Sequence, residues 1–229
     1  MKPTSAQIIR GTGLAALAAG VIFAAIQPIH PPDVGASVTT TAWAIITPLK
    51  WGMCLLFLVG IGGLYARQVE ESGWLGLAGA LLLGLSWALQ TGFVFAEAFV
   101  APPLAATSPG FVDALMGISY GHTGGFALGA LPALYSVMGI LYMLGGLVFG
   151  LATLRAGVLP RWPAGLLAAV SAVTPAAALL PHHLQRLVGM PVGLALAWLG
   201  VALWAERRAH AAESAPGSSS LQVSQTGAD

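Results

Sequence analysis

The sequence predicts an all-α membrane protein, a six-helix transmembrane bundle with both ends in the cytoplasm. Three observations predict it. The chain of 229 residues is 57% hydrophobic and only 7% charged. An ordinary soluble domain is about 25% charged, so these polar groups are too few to cover a water-facing surface. Six apolar runs are each long enough to cross a hydrocarbon core of about 30 Å, which needs roughly 20 residues per helix. Lysines and arginines fall where they would flank those runs on one side.

The first window covers residues 8–28 and stops at Pro28-Ile29-His30-Pro31-Pro32, a run that cannot continue a helix. Its basic start resembles a signal peptide, but Ile26-Gln27-Pro28 is a poor small-residue cleavage site, so the window is read as a retained helix. The second window covers residues 41–65. The third covers 74–100 and is closed by Pro102-Pro103. The fourth, fifth and sixth cover 126–154, 162–180 and 187–205. Short connections at 67–73, 155–161 and 181–186 make the helices they join antiparallel neighbours. With the N-terminus inside, Lys2, Arg10, Arg67, Arg155, Arg161, Arg207 and Arg208 all lie on the cytoplasmic side, and only Arg186 falls in an outer loop.

Two segments are not read as spans. The outer connection 101–125 carries Phe111, Val112, Leu115, Met116 and Ile118, so it is expected to lie on the membrane surface or to pack back over the helices. The tail, residues 209–229, is rich in Ser, Gly, Ala and Gln and is expected to be a disordered cytoplasmic extension of the domain 1–208.

An internal repeat is suggested by Gly63-Leu64-Tyr65-Ala66-Arg67 followed by Trp74, set beside Gly150-Leu151, Arg155 and Trp162. The arginine-to-tryptophan spacing is the same in both. Arginine and tryptophan are also generic interface anchors, so chance explains part of the likeness. A true duplication makes helices two and three one hairpin and helices four and five a parallel copy. Glycines four apart (Gly121, Gly125, Gly129; Gly146, Gly150; Gly189, Gly193) fit close helix packing, though 30 glycines produce such spacings by chance as well.

Lys50 is the least expected residue. It sits roughly 12 Å into the second window, where a lysine costs about 2.5–3.5 kcal/mol on insertion scales. Thr40, Thr47, Lys50 and Cys54 share one helical stripe; Ser86, Gln90 and Glu97 share another on the third helix. Lys50 and Glu97 are therefore expected to pair across the hairpin. Together with Gln90, Thr47 and Ser86 they outline a candidate polar cleft. The plainer reading is a lysine that snorkels to the interface and pairs structurally. At the offset of 88 residues, Met138 and Gln185 would replace Lys50 and Glu97 in the second copy.

Other polar residues carry less. His30, His122, His182 and His183 lie near the outer face, where Asp33, Asp113 and Glu97 invite a metal reading. No two of these histidines have the i, i+4 spacing that puts two ligands on one helix face, so no metal and no other cofactor is expected. Tyr135, Met138 and Tyr142 form a stripe that is read as packing rather than a ligand box. Cys54 is the only cysteine and is read as a packing residue. No phosphate loop, nucleophile elbow or paired-carboxylate pattern is present, and no catalytic residue is assigned. The near-neutral net charge of +1 leaves no nucleic-acid footprint.

His30-Pro31-Pro32, Gly63-Leu64-Tyr65-Ala66-Arg67-Gln68 and the run from Leu154-Arg155-Ala156-Gly157 through Val158-Leu159-Pro160-Arg161-Trp162 resemble a family of uncharacterised bacterial multi-pass membrane proteins. That family, a domain of unknown function, is common in high-GC bacteria. The resemblance covers most of the chain to Arg208 and implies the bacterial cytoplasmic (inner) membrane. It carries no catalytic residues. The function expected first is a non-catalytic accessory or sensory membrane component, surrounded by membrane lipids and partnered by a second copy or another membrane protein. A small-solute permease with an outward-facing cleft around Lys50 and Glu97 is the alternative. A membrane-embedded lipid- or isoprenoid-modifying enzyme is the third reading.

Overall fold

A computed structural model describes residues 5–180 and 182–213, and these residues are helical with connecting turns. The elements are α1 (Ser5–Ile26), α2 (Thr41–Arg67), α3 (Val69–Phe95), α4 (Ala101–Leu104), α5 (Pro109–Gly117), α6 (Leu131–Ala156), α7 (Arg161–Val173), α8 (His182–Gln185) and α9 (Gly189–Glu213). Five segments are long and apolar enough to cross a membrane: Gln7–Ile26, Thr41–Arg67, Val69–Leu104, Leu131–Ala156 and Arg186–Ala205. Their outward surfaces are apolar; Ile45, Leu81 and Ile140 are all more than half exposed. Such a surface is stable against acyl chains, not water.

Several expectations read from sequence are corrected; the third window, expected to be closed at 100 by Pro102-Pro103, runs on through both prolines to Leu104 by way of one widened turn. The fifth is not one continuous α-helix to residue 180. α7 has 13 residues and passes at Thr174–Leu179 into a 3-10 helix. Pro175 has no N–H for the carbonyl four residues back, and its ring crowds that turn, so the α-helix ends there. The fourth starts at Leu131, not 126, because the preceding stretch is turned by Gly121, Gly124, Gly125 and Gly129, all at positive φ. Gly121, Gly125 and Gly129 are therefore turn residues and not a helix-packing stripe. The connection at 67–73 is mostly helical, with only Gln68 between α2 and α3. A break at Gly73 (φ 52°, ψ −145°) then re-aims the chain, so the long run begins at Trp74 as its sequence suggests. Finally, the expected disordered tail is helical as far as Glu213. The rest of the tail lies outside the described residues.

Six helices form a closed ring: α1, α2, α3, α6, α7 and α9 each pack on the next, and α9 returns to α1. Neighbours run in opposite directions. Gly60 lies against Ala16 and Gly63 against Thr12; Gly20 meets Gly193, and Gly200 meets Leu17 and Gly13. Across α3 and α6, Gly79 meets Phe149 and Gly145 meets Leu83, while Gly150 seats on Ala164 and Ala168 of α7. A Cβ at Gly60 would come within 2.7 Å of the Ala16 Cα, so glycine sets the interaxial distance here. The half of the ring nearest the start of α1 and the end of α9 is closely filled, with Leu64, Phe149, Leu167, Leu199 and Leu203 fully buried. At that end the Gln68 amide donates to the Thr153 hydroxyl at 2.8 Å in a buried bond between the two hairpins.

The opposite end is capped. α4, α5 and the turn before α2 pack back on the bundle and share a second apolar core of Val38, Trp43, Val112, Leu115, Met116, Ile118 and Leu128. Of the two placements expected for this connection, the cap is the one found.

Candidate functional site

Beneath the cap, α2 and the end of α3 bring two charges together. Lys50 Nζ lies 2.6 Å from Glu97 Oε2, with the two side chains 15% and 18% exposed. Glu97 stands in a single π-helical turn, Ala96–Val100, whose end is closed by the Ala101 N–H donating to the Ala96 carbonyl. The next two residues, Pro102 and Pro103, have no N–H for the ordinary ladder, and the widened turn accommodates them. The Trp43 indole N–H donates to the Glu97 carbonyl at 2.9 Å, which fixes the turn against α2.

The loop between α1 and α2 supplies the next pair of groups. His30 Nε2 is 3.4 Å from Lys50 Nζ, and His30 Nδ1 is 2.7 Å from the Pro31 carbonyl. An ammonium has only donors, so Nε2 accepts from Lys50 and Nδ1–H donates to Pro31. That assignment requires a neutral ring. Burial lowers the His30 pKa from 6.5 to about 4, and the Lys50 charge adds to the effect while Asp33 opposes it. Asp33 Oδ2 in turn meets Arg186 Nη2 at 2.5 Å, and the same guanidinium donates to the Pro31 carbonyl at 3.2 Å. Arg186 thus ties the α1–α2 loop to the start of α9.

Inside the ring, against these groups, lies a cavity of about 300 Å³. His30, Asp33, Lys50, Gln90, Gln185 and Arg186 line its outer part. Phe23, Met53, Trp87 and Tyr142 line its deeper part, about 18 Å below the start of α2 when measured along twelve residues to Met53. Trp87 stacks on Phe57 with ring centroids 4.2 Å apart and meets Phe23 and Tyr142 edge-on. A smaller space of about 50 Å³ adjoins it, lined by Lys50, Glu97, Gln90 and Tyr135 below Leu115 and Met116 of the cap.

The residues read from sequence separate as follows. Lys50, Gln90 and Ser86 line the large cavity, and Glu97 the small one. The Ser86 hydroxyl donates to the Met138 carbonyl at 3.1 Å. Thr47 is fully buried and spends its hydroxyl on the Trp43 carbonyl, so it lines neither space. Cys54 is buried in the apolar core. The stripe Tyr135, Met138 and Tyr142, read as packing, lines the large cavity. Met138 and Gln185, which a duplication would match with Lys50 and Glu97, line it too. Sequence reasoning did not assign Phe23, Trp87 or Arg186 to the site. The one arginine that the charge pattern assigns to an outer loop was the available signal for Arg186. Among the described residues no three of His, Cys, Asp and Glu gather as a metal site requires, and the side chains of His182 and His183 lie outside the description.

The chain matches no protein-family model, no curated protein and no solved structure.

Proposed function

We propose that this is a six-span protein of the bacterial cytoplasmic membrane, a sensory or accessory component that binds a small solute in its outward-facing cavity. Several features support six crossings. α7 and its 3-10 continuation together rise about 32 Å, from 1.5 Å and 2.0 Å per residue, which matches the hydrocarbon thickness. The antiparallel packing of α9 on α1 brings the start of α1 and the end of α9 to one side. Arg67, Arg155 and Arg161 lie at that same end, the cytoplasmic one by the positive-inside rule.

The observation that carries the binding reading is the form of the cavity. It is concave, mostly aromatic and apolar in depth, with a few convergent polar groups at its outer part. A permease needs a route through the other half of the ring, where large side chains are fully buried. The enzyme reading rested on Lys50 and Glu97, which are engaged with each other.

Gly139 provides the test. It lines the cavity, and a Cβ there meets no heavy atom within 4 Å. Wild-type protein and Gly139→Phe are purified from the same host membranes, and their small-molecule extracts are compared by mass spectrometry. A compound retained by the wild type and lost from an equally stable variant supports the reading. Identical extracts contradict it.

A further inference from the structure

The lining of the cavity also constrains the kind of solute, given that it is a binding site as proposed above. Its fixed charges cancel within the protein: Lys50 is paired with Glu97 and Arg186 with Asp33. His30 is held neutral by its two hydrogen bonds. A charged ligand would have to break one of these pairs or enter without a counter-ion, at a cost that burial makes large.

The deep part is different. Trp87 is 3% exposed, and its Nε1–H has no hydrogen-bond partner in the protein. The Tyr142 hydroxyl is likewise buried and without a partner. The two rings meet edge-on, with centroids 5.9 Å apart. An indole N–H is a donor only, and a phenol donates most readily. Buried donors without acceptors are uncommon because desolvating them is unfavourable. Two of them together, in the aromatic wall of one cavity, mark where a ligand's acceptor oxygen fits.

We infer that the cavity takes a neutral, ring-bearing amphipathic molecule whose carbonyl or similar acceptor oxygen is directed to Trp87 Nε1–H and the Tyr142 hydroxyl. The partly exposed ring of Phe23, which lines the cavity, packs on the ligand's ring. The more polar end lies toward Gln90, Gln185 and the buried Asp33 Oδ1, which has His30 Nδ1 at 3.7 Å but no hydrogen-bond partner.

Four probes on one ring system test this: 2-acetylnaphthalene, naphthalene, 2-naphthoate and 2-naphthylmethylammonium. Each is titrated calorimetrically into the full-length protein in detergent micelles, with protein-free micelles as the blank. The ketone is expected to bind saturably and about tenfold more tightly than naphthalene, the difference one or two hydrogen bonds make, with both ions weaker than the ketone. Tyr142→Phe and Trp87→Phe, checked for unchanged helicity, are each expected to bring the ketone close to naphthalene. Equal binding of ketone and naphthalene, unaffected by Tyr142→Phe, would overturn the acceptor assignment and leave a binding site in place. Tighter binding of either ion would overturn the neutrality. Absence of saturable binding by all four would remove the binding-site reading as well.

Discussion

Replacing Lys50 by methionine removes the cation paired with Glu97 and the donor that faces His30 Nε2. Both side chains are under one-fifth exposed, so water screens the loss only in part. Removing one member of a buried pair costs about 3–5 kcal/mol, and the partial exposure places Lys50→Met near the lower limit, about 3 kcal/mol. Glu97→Gln is milder. The amide oxygen still accepts from Lys50, and the charge retains His30 as a neighbour, so about 2 kcal/mol is expected. Independent effects would sum to about 5 kcal/mol. The double variant has no unpaired charge, and neutral replacement of a buried pair is often tolerated, so its predicted loss is about 2 kcal/mol. The resulting coupling of about 3 kcal/mol is well above the additivity error of distant sites. Unfolding in mixed micelles by titration with sodium dodecyl sulfate, followed by helicity, measures all four proteins. A double variant that loses the full sum refutes the pairing, whatever the single effects are.

Two further outcomes follow from the same geometry. The His30 pKa lies at about 4 in the folded protein against 6.5 in an unfolded chain, so the unfolded state binds the proton first as pH falls. His30 therefore contributes stability that is complete above pH 6.5 and is lost between 6.5 and 4, about 3 kcal/mol in all; a pH series should show this slope in the wild type and a flatter one in His30→Asn. Gly150→Ala puts a Cβ 2.6 Å from the Ala168 backbone nitrogen, which forces α6 from α7. A loss of about 1–3 kcal/mol is expected, read by the same detergent titration, whereas Gly165→Ala, with open space at its Cβ, should cost far less.

The Lys50–Glu97 pair was legible because two facts sufficed: each charge interrupts an apolar run, and a hairpin places them at one depth. The cavity was not legible. Its walls come from α1, α2, α3, α6 and the segment leading into α9, and most of these helices are apolar on all sides, so periodicity gave no inward face to read. Asp33 and Arg186 are 153 residues apart, and only closure of the ring brings them together. Tyr135, Met138 and Tyr142 were visible as a stripe, but a stripe does not distinguish a packed face from a cavity wall. Pro175 was a visible signal that the length of the fifth window obscured, although a proline alone does not decide the point, since α2 continues through Pro48. The turn glycines between 121 and 129 misled in the opposite direction, since four-residue spacing suits packing and turns alike.

Cysteine labelling in intact cells tests most directly whether an outward-facing, water-reachable cavity exists. In a Cys54→Ser background, single cysteines replace Gln90, which lines the cavity, and Leu85, which is 52% exposed on the outer surface of the same helix. A membrane-impermeant thiol reagent should label the cysteine at position 90 from outside and leave that at position 85 untouched. If position 90 stays unlabelled in cells but reacts once the protein is unfolded, the cavity is sealed from the outer face and the binding reading fails.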